Sequence, residues 1–243
     1  MEENNNFINI LGYKIFKNSL RDAIEYIDMK DKIHIISGNP EVLYTGLNNK
    51  TLFENFTSSS SIIIPDGVGV QIAAKFIKTP VKEKIAGIDL MKEIIKKLSL
   101  ENKSIYLLGT KEENLKACVA NIIVQFPNVN IAGYRNGYFN IDNATEVLEE
   151  IKEKKPHAIF LAMGCPMQEE FIVRYMNELP CKIFMGVGGS FDVIAEKVNR
   201  APKWMIKLGL EWLYRVSKEP WRIKRLGSIP KFLLLVIRRK KIK

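Results

Sequence analysis

A carboxylate at the mouth of an apolar run is the first place where this chain could do chemistry. Asp66 stands in Pro65-Asp66-Gly67, directly after SIIIP (61–65), with no Lys or Arg beside it in sequence. A carboxylate so placed faces a cleft and can take a proton as a general base. The same residue could equally cap a helix over VGVQIAAKF, and position alone leaves both readings open. Four other runs end in the same way. Ser37 and Asn39 close KIHIIS (32–37), Gly109 and Thr110 close SIYLLG (104–109), Gly164 to Gln168 follow AIFLAMG (158–164), and Gly186 to Ser190, with Gly188 and Gly189, close KIFMGV (182–187). Backbone N–H groups beside small residues suit phosphate, so these turns point to a nucleotide or a nucleotide-sugar.

Other chemistries are poorly served. Gly67-Val-Gly69 starts like a dinucleotide fingerprint, but Ile72 takes the place of the third glycine, and AGIDL (86–90) opens a helix where a second strand should end. A nicotinamide-dependent dehydrogenase is therefore the weaker rival. The Gly186 to Ser190 turn lacks the Lys of a Walker loop. With no Asp-x-Asp pair and only His34 and His157, a catalytic divalent metal has no evident ligands, and neither metal nor cofactor is expected. Cys118, Cys165 and Cys181 include no C-x-x-C pair, which argues against a disulfide scaffold or a zinc module.

The elements that must position these residues follow from the apolar runs. KIHIIS, SIIIP, SIYLLG, VNIAGY (129–134), AIFLAMG and KIFMGV are short, nearly continuous and separated by helical-period segments. This is the rhythm of an α/β, Rossmann-like fold, a mostly parallel sheet with helices on both faces. In such sheets ligands sit beyond the carboxyl ends of the strands, which selects the residues above. FINILGYKIF (7–16) reads as an N-terminal hairpin or edge strand. Asn39-Pro40 reads as N-cap and N1, and Thr110 to Glu113 as a capping box. After Glu196 the strand pattern stops. Residues 1–196 are expected to form the catalytic core and residues 197–243 a basic helical appendage, broken near Pro220 and Pro230.

Charge divides at the same place. Residues 197–243 hold 15 Lys/Arg against Glu211 and Glu219, a balance of +13, and residues 1–196 hold 22 against 25, a balance of −3. The tail therefore seeks an anionic partner. Arg215, Arg222 and Arg225 lie among Trp204, Trp212, Tyr214 and Trp221, and guanidinium forks suit diphosphate. Basic residues around Phe232 to Ile237 suit a helix lying in an anionic membrane surface, whereas no run approaches the roughly 20 apolar residues of a spanning helix. MEENNNFINI is acidic and amide-rich, unlike a secretory signal. The expectation is a cytoplasmic protein, peripheral on the inner face of the cell membrane. A non-catalytic nucleic-acid or lipid-binding scaffold is the rival of a different class, although no nucleic-acid module accompanies the basic residues.

Taken together, ten motifs in order resemble the WecG/TagA/CpsF bacterial glycosyltransferases: SGNPE (37–41), PDGVG (65–69), AGIDL (86–90), YLLGT (106–110), NGYF (136–139), GCPMQE (164–169), GVGGSFDV (186–193), NRAPKW (199–204), LGLEWLYR (208–215) and EPWRIKR (219–225). The resemblance implies inverting, metal-independent transfer of N-acetylmannosamine from UDP-ManNAc to GlcNAc on undecaprenyl diphosphate, early in teichoic acid or related surface-polysaccharide synthesis. UDP-ManNAcA or another UDP-hexose is the alternative donor. It also implies an appendage that completes the site at the membrane, and it leaves open whether the chain forms a homo-oligomer. Carried onto this sequence, it makes Asp66 the general base. Ser37 and Asn39 become the polar pair after the first core strand, and Gln168 a sugar or diphosphate ligand. Arg215, Arg222 and Arg225 become the diphosphate-binding cations. Where the family usually has Arg before AGIDL this chain has Lys84, which keeps the charge and loses the bidentate fork.

Overall fold

The structure is a computed structural model that describes residues 3–207, 210–218, 223 and 227–241. Eight strands form a mixed, mostly parallel sheet, as the Rossmann-like reading requires. The chain falls into two compact units.

The first unit holds the chain up to Ala23, Ser37–Ala86 and the described residues from Arg200 on. Strands β1 (Phe7–Ile10) and β2 (Tyr13–Phe16) form the expected hairpin, with Phe7 opposite Phe16 and Ile10 opposite Tyr13. Strand β4 (Ser61–Ile64) runs parallel to β2 and is buried along its whole length, which its three isoleucines favour. Helix α2 (Pro40–Leu47) begins as its sequence dictates, since the Asn39 side chain accepts from the Val42 amide at 3.1 Å and Pro40 supplies a first turn that needs no donor. Helix α3 (Lys50–Phe56) is capped in the same way by Asn49. Tyr13 packs against Phe53 and Phe56, and its hydroxyl donates to the Leu43 carbonyl at 3.0 Å. Helix α4 (Val68–Phe76) follows β4.

The basic tail contributes α10 (Lys203–Lys207), α11 (Glu211–Lys218) and α12 (Ser228–Lys241) to the first unit. A helix boundary lies near Pro230, as expected: α12 begins at Ser228 and Pro230 sits in its first turn, where the missing N–H leaves no intrahelical bond unmade, while Pro220 lies outside the described residues. The apolar run from Phe232 divides between two environments. Phe232 and Val236, four apart, are buried, and α12 packs on α2 and α4, whereas Leu234 and Ile237 remain exposed. The run is thus not given over to a surface role, because one stripe of the helix belongs to the core.

The second unit holds Ile24–Ile36 and Gly87–Asn199. Its strands stand in the order β3 (Ile33–Ser37), β8 (Ile183–Gly186), β7 (Ala158–Ala162), β5 (Ser104–Gly109), β6 (Asn130–Arg135), all parallel. Helices α5 (Gly87–Leu100), α6 (Glu112–Gln125), α7 (Thr145–Lys154), α8 (Met167–Tyr175) and α9 (Ser190–Ile194) belong to it, and AGIDL opens a helix as expected. Tyr106, Leu108, Ile159, Phe171 and Phe184 lie at the centre of one buried cluster. The capping box over Thr110 to Glu113 does not form. Thr110 adopts φ 49°, the cap position moves to Lys111, and the Thr110 hydroxyl donates instead to Asp192 Oδ1 at 2.7 Å.

Candidate active site

In the first unit the strand ends come together through a glycine. A Cβ on Gly38 would lie 2.5 Å from the Ile64 carbonyl oxygen, so only glycine allows this approach, and the Gly38 amide donates to that oxygen at 2.9 Å. The closeness places Ser37 beside Asp66, and the Ser37 hydroxyl donates to Asp66 Oδ2 at 2.6 Å. The N-cap position of α4 belongs to Gly67, at φ 91°, and the Ser37 hydroxyl orients the Asp66 carboxylate. Gly69 permits a second close approach, since a Cβ there would meet Pro40 Cγ at 2.4 Å. The first turns of α2 and α4 therefore lie side by side next to Asp66, and their amide ends favour negative charge. Asn39 stands in this group with its Oδ1 committed to the α2 cap.

Lys84 is joined to the same group through the backbone, and its side chain reaches Glu211. The Ile85 amide donates to the Pro65 carbonyl at 3.1 Å, which sets residue 84 next to the Asp66 turn. Lys84 Nζ lies 3.2 Å from Glu211 Oε2, and Arg215 Nη2 lies 3.1 Å from Glu211 Oε1. Burial acts to raise the Glu211 carboxyl, but Arg215 and Lys84, with Arg200 behind them, outweigh it and hold the group below the ordinary carboxylate range. Glu211 is therefore ionised at neutral pH, and its ion pairs weaken only as the pH falls below the ordinary value of 4.5. Arg222 and Arg225 lie outside the described residues.

In the second unit Gln168 organises the glycine turns. It is 3% exposed, and its Oε1 accepts from the Gly164 amide at 3.2 Å and the Gly188 amide at 3.0 Å, while its Nε2 donates to Glu169 Oε1 at 2.8 Å. A Cβ on Gly186 would strike Gln168 Nε2 at 2.5 Å. Gly164 at φ 80° and Gly188 at φ 50° present open space where side chains would stand. Gly189 directly precedes α9. Gly109, at φ 135°, packs on the Ala162 backbone, where a Cβ would have its nearest neighbour at 2.5 Å. Thr110 and Asn114 both donate to Asp192, tying α6 to α9. Burial pushes the Cys118 and Cys181 thiols up to about 12, so neither is a nucleophile at neutral pH.

The structure thus brings Ser37, Asn39, Asp66, Lys84 and Arg215 into the first unit, and Gly109, Gln168, Gly188 and Gly189 into the second. Sequence reasoning missed Glu211 and Asp192. Glu211 carried one signal, its spacing of four from Arg215 on a helix, but its pairing with Lys84 spans 127 positions and no local pattern announces it.

Gln168→Ala is expected to leave two backbone donors without their acceptor and to lower unfolding stability by about 1–3 kcal/mol in denaturant titration. Unchanged stability would show that the carboxamide does not hold the turns.

Residues 8–243 match the model of the glycosyl transferase WecG/TagA/CpsF family. A protein of Bacillus subtilis (strain 168) named N-acetylglucosaminyldiphosphoundecaprenol N-acetyl-beta-D-mannosaminyltransferase is 40% identical over 218 residues, covering 90% of this chain and 84% of its own. Proteins of the same name from Bacillus spizizenii (strain ATCC 23059 / NRRL B-14472 / W23) and Staphylococcus aureus (strain MW2) are 35% and 32% identical, over 88% and 96% of this chain and 82% and 93% of theirs. On the family match across nearly its whole length, with the motif residues set at the strand ends, the chain belongs to the WecG/TagA/CpsF glycosyltransferase family.

Proposed function

We propose that the chain transfers N-acetylmannosamine from UDP-ManNAc to the GlcNAc of GlcNAc-diphosphoundecaprenol, an early step of teichoic acid or related surface-polysaccharide assembly. The observation that carries the mechanism is the Ser37–Asp66 hydrogen bond at the ends of β3 and β4. It holds a carboxylate where an acceptor hydroxyl can lose its proton. The names of the three relatives support the sugar and the acceptor.

In the proposed reaction Asp66 takes the proton of the acceptor hydroxyl as that oxygen bonds to the anomeric carbon. The bond from that carbon to the UDP oxygen breaks with its electron pair, and UDP departs. One displacement inverts the anomeric centre. The charge that develops on UDP falls to Lys84 and Arg215, with Arg222 and Arg225 assigned the same role by the family motif, and no metal is required. Gly109, Gly188 and Gly189 shape donor turns, and Gln168 acts on the donor by fixing the Gly164 and Gly188 amides. Asn39, held as the α2 cap, packs against the Asp66 turn.

The acceptor is a lipid, and the tail is built to meet a membrane surface. Among the described residues no helix is long and apolar enough to cross a membrane. Trp204, Trp212, Leu213, Leu234 and Ile237 are exposed on helices that also expose Arg238 and Arg239. Exposed aromatic and aliphatic side chains among cations suit the headgroup region, and the reading is peripheral attachment by residues 197–243, which also complete the site.

Asp66→Asn, nearly isosteric, is expected to bind UDP like the parent while kcat falls by about 10² to 10⁴. Turnover within about threefold of the parent would remove Asp66 from the chemistry. Co-sedimentation with phosphatidylglycerol vesicles is expected to fall steeply as salt rises from about 0.05 to about 0.5 M, because each basic residue near the surface contributes about 1 kcal/mol that salt screens. Binding indifferent to salt would assign attachment to the apolar side chains alone.

A further inference from the structure

Glu211 is the acidic residue of α11, and three cations act on it. Its two carboxylate oxygens are divided between them, Oε2 to Lys84 at 3.2 Å and Oε1 to Arg215 at 3.1 Å, and Arg200 adds its field. The pairing is not a surface ornament, since the Lys84, Glu211 and Arg215 side chains are 15%, 12% and 29% exposed. It is also continuous with the reacting group. Asp66 adjoins Pro65, Pro65 accepts from the Ile85 amide, Ile85 adjoins Lys84, and Lys84 meets Glu211.

We propose that Glu211 is a positioning residue that locks Lys84 and Arg215 as a pair at a fixed place relative to Asp66, so that both meet the diphosphate of the UDP donor. It does not touch the substrate. The inference rests on the donor-binding role given above to Lys84 and Arg215 and adds the device that makes them effective. Two long cationic side chains brought together repel each other, and each must give up rotamer freedom to bind an anion. A carboxylate bridging them removes the repulsion and orders both before the donor arrives, so less affinity is lost on binding. The bridge uses one guanidinium nitrogen of Arg215, and the guanidinium carries five N–H donors in all.

The test measures UDP affinity by calorimetry, donor KM and kcat separately, and the melting temperature. The variants are Glu211→Gln, Lys84→Met/Arg215→Ala, and all three changes together. Glu211→Gln is expected to weaken UDP binding and raise donor KM by about tenfold, and to lower kcat as well, since the same cations meet the charge that develops on the departing UDP. In the background lacking both cations the same change is expected to add less than about twofold, because nothing remains to position. UDP affinity within about twofold of the parent in Glu211→Gln, or a loss that persists in the double-variant background, would overturn the proposal. A fall in melting temperature with UDP affinity and KM unchanged would reduce the bridge to a structural ion pair and overturn it as well. If Lys84→Met/Arg215→Ala itself leaves UDP binding unchanged, the donor-binding role of the cations fails and takes the proposal with it. If that variant loses UDP and Glu211→Gln does not, the positioning role alone fails. Should Glu211→Gln not fold, Glu211→Asp, which keeps the charge and shortens the reach by one methylene, is read in the same comparison.

Discussion

The approach of two backbones at Gly38 sets the geometry of everything around Asp66. A side chain at that position would drive into the Ile64 carbonyl, and the strand ends would have to part. Without their contact the Ser37 hydroxyl could not reach Asp66 at 2.6 Å, and the carboxylate would be one more exposed loop acid. Gly69 does the same for the helices that follow, letting Pro40 close against the first turn of α4. The two glycines thus bring a serine, an aspartate and two helix N-termini into one small region. In that region a base and an anion can be held together, because helix N-termini favour negative charge while the carboxylate accepts a proton.

Electrostatics divides the labour in a way that composition announces only coarsely. The tail's balance of +13 and the body's −3 suggest a simple attraction between the basic end and an anionic partner. The structure shows finer use of that charge. Arg215 and Lys84 are spoken for by Glu211, buried enough to form a defined pair, while Arg238 and Arg239 stand on the exposed side of α12. One set is paired within the fold and the other is exposed, which fits the proposed transfer from a small donor to an acceptor anchored in a bilayer.

Much of this was legible in the sequence where the physics is local. The continuous apolar runs marked the strands because parallel strands are covered on both faces, and FINILGYKIF gave its hairpin through alternating burial around Leu11-Gly12. Asn39-Pro40 capped a helix because the cap needs only neighbours in sequence. The failures share the opposite cause. Thr110 to Glu113 satisfied a capping pattern, but Asp192, 82 positions away, competed for the threonine hydroxyl and won. Phe232 and Val236 were read with their exposed neighbours because only tertiary packing on α2 and α4 separates the two stripes. In the site, Asp66 and Gln168 stood out by position at strand ends, whereas Gln168's hold on the Gly188 amide and Glu211's bridge to Lys84 are contacts across 20 and 127 positions.

The central claim is a single metal-free displacement at the anomeric carbon with Asp66 as base. Its most direct test is the configuration of the product formed from UDP-ManNAc and a GlcNAc-diphospholipid in excess EDTA, read by the anomeric coupling in NMR. The expected product is a disaccharide whose ManNAc is β-linked, inverted from the α-linked donor. An α-linked product, or no product until a divalent ion is restored, would contradict it.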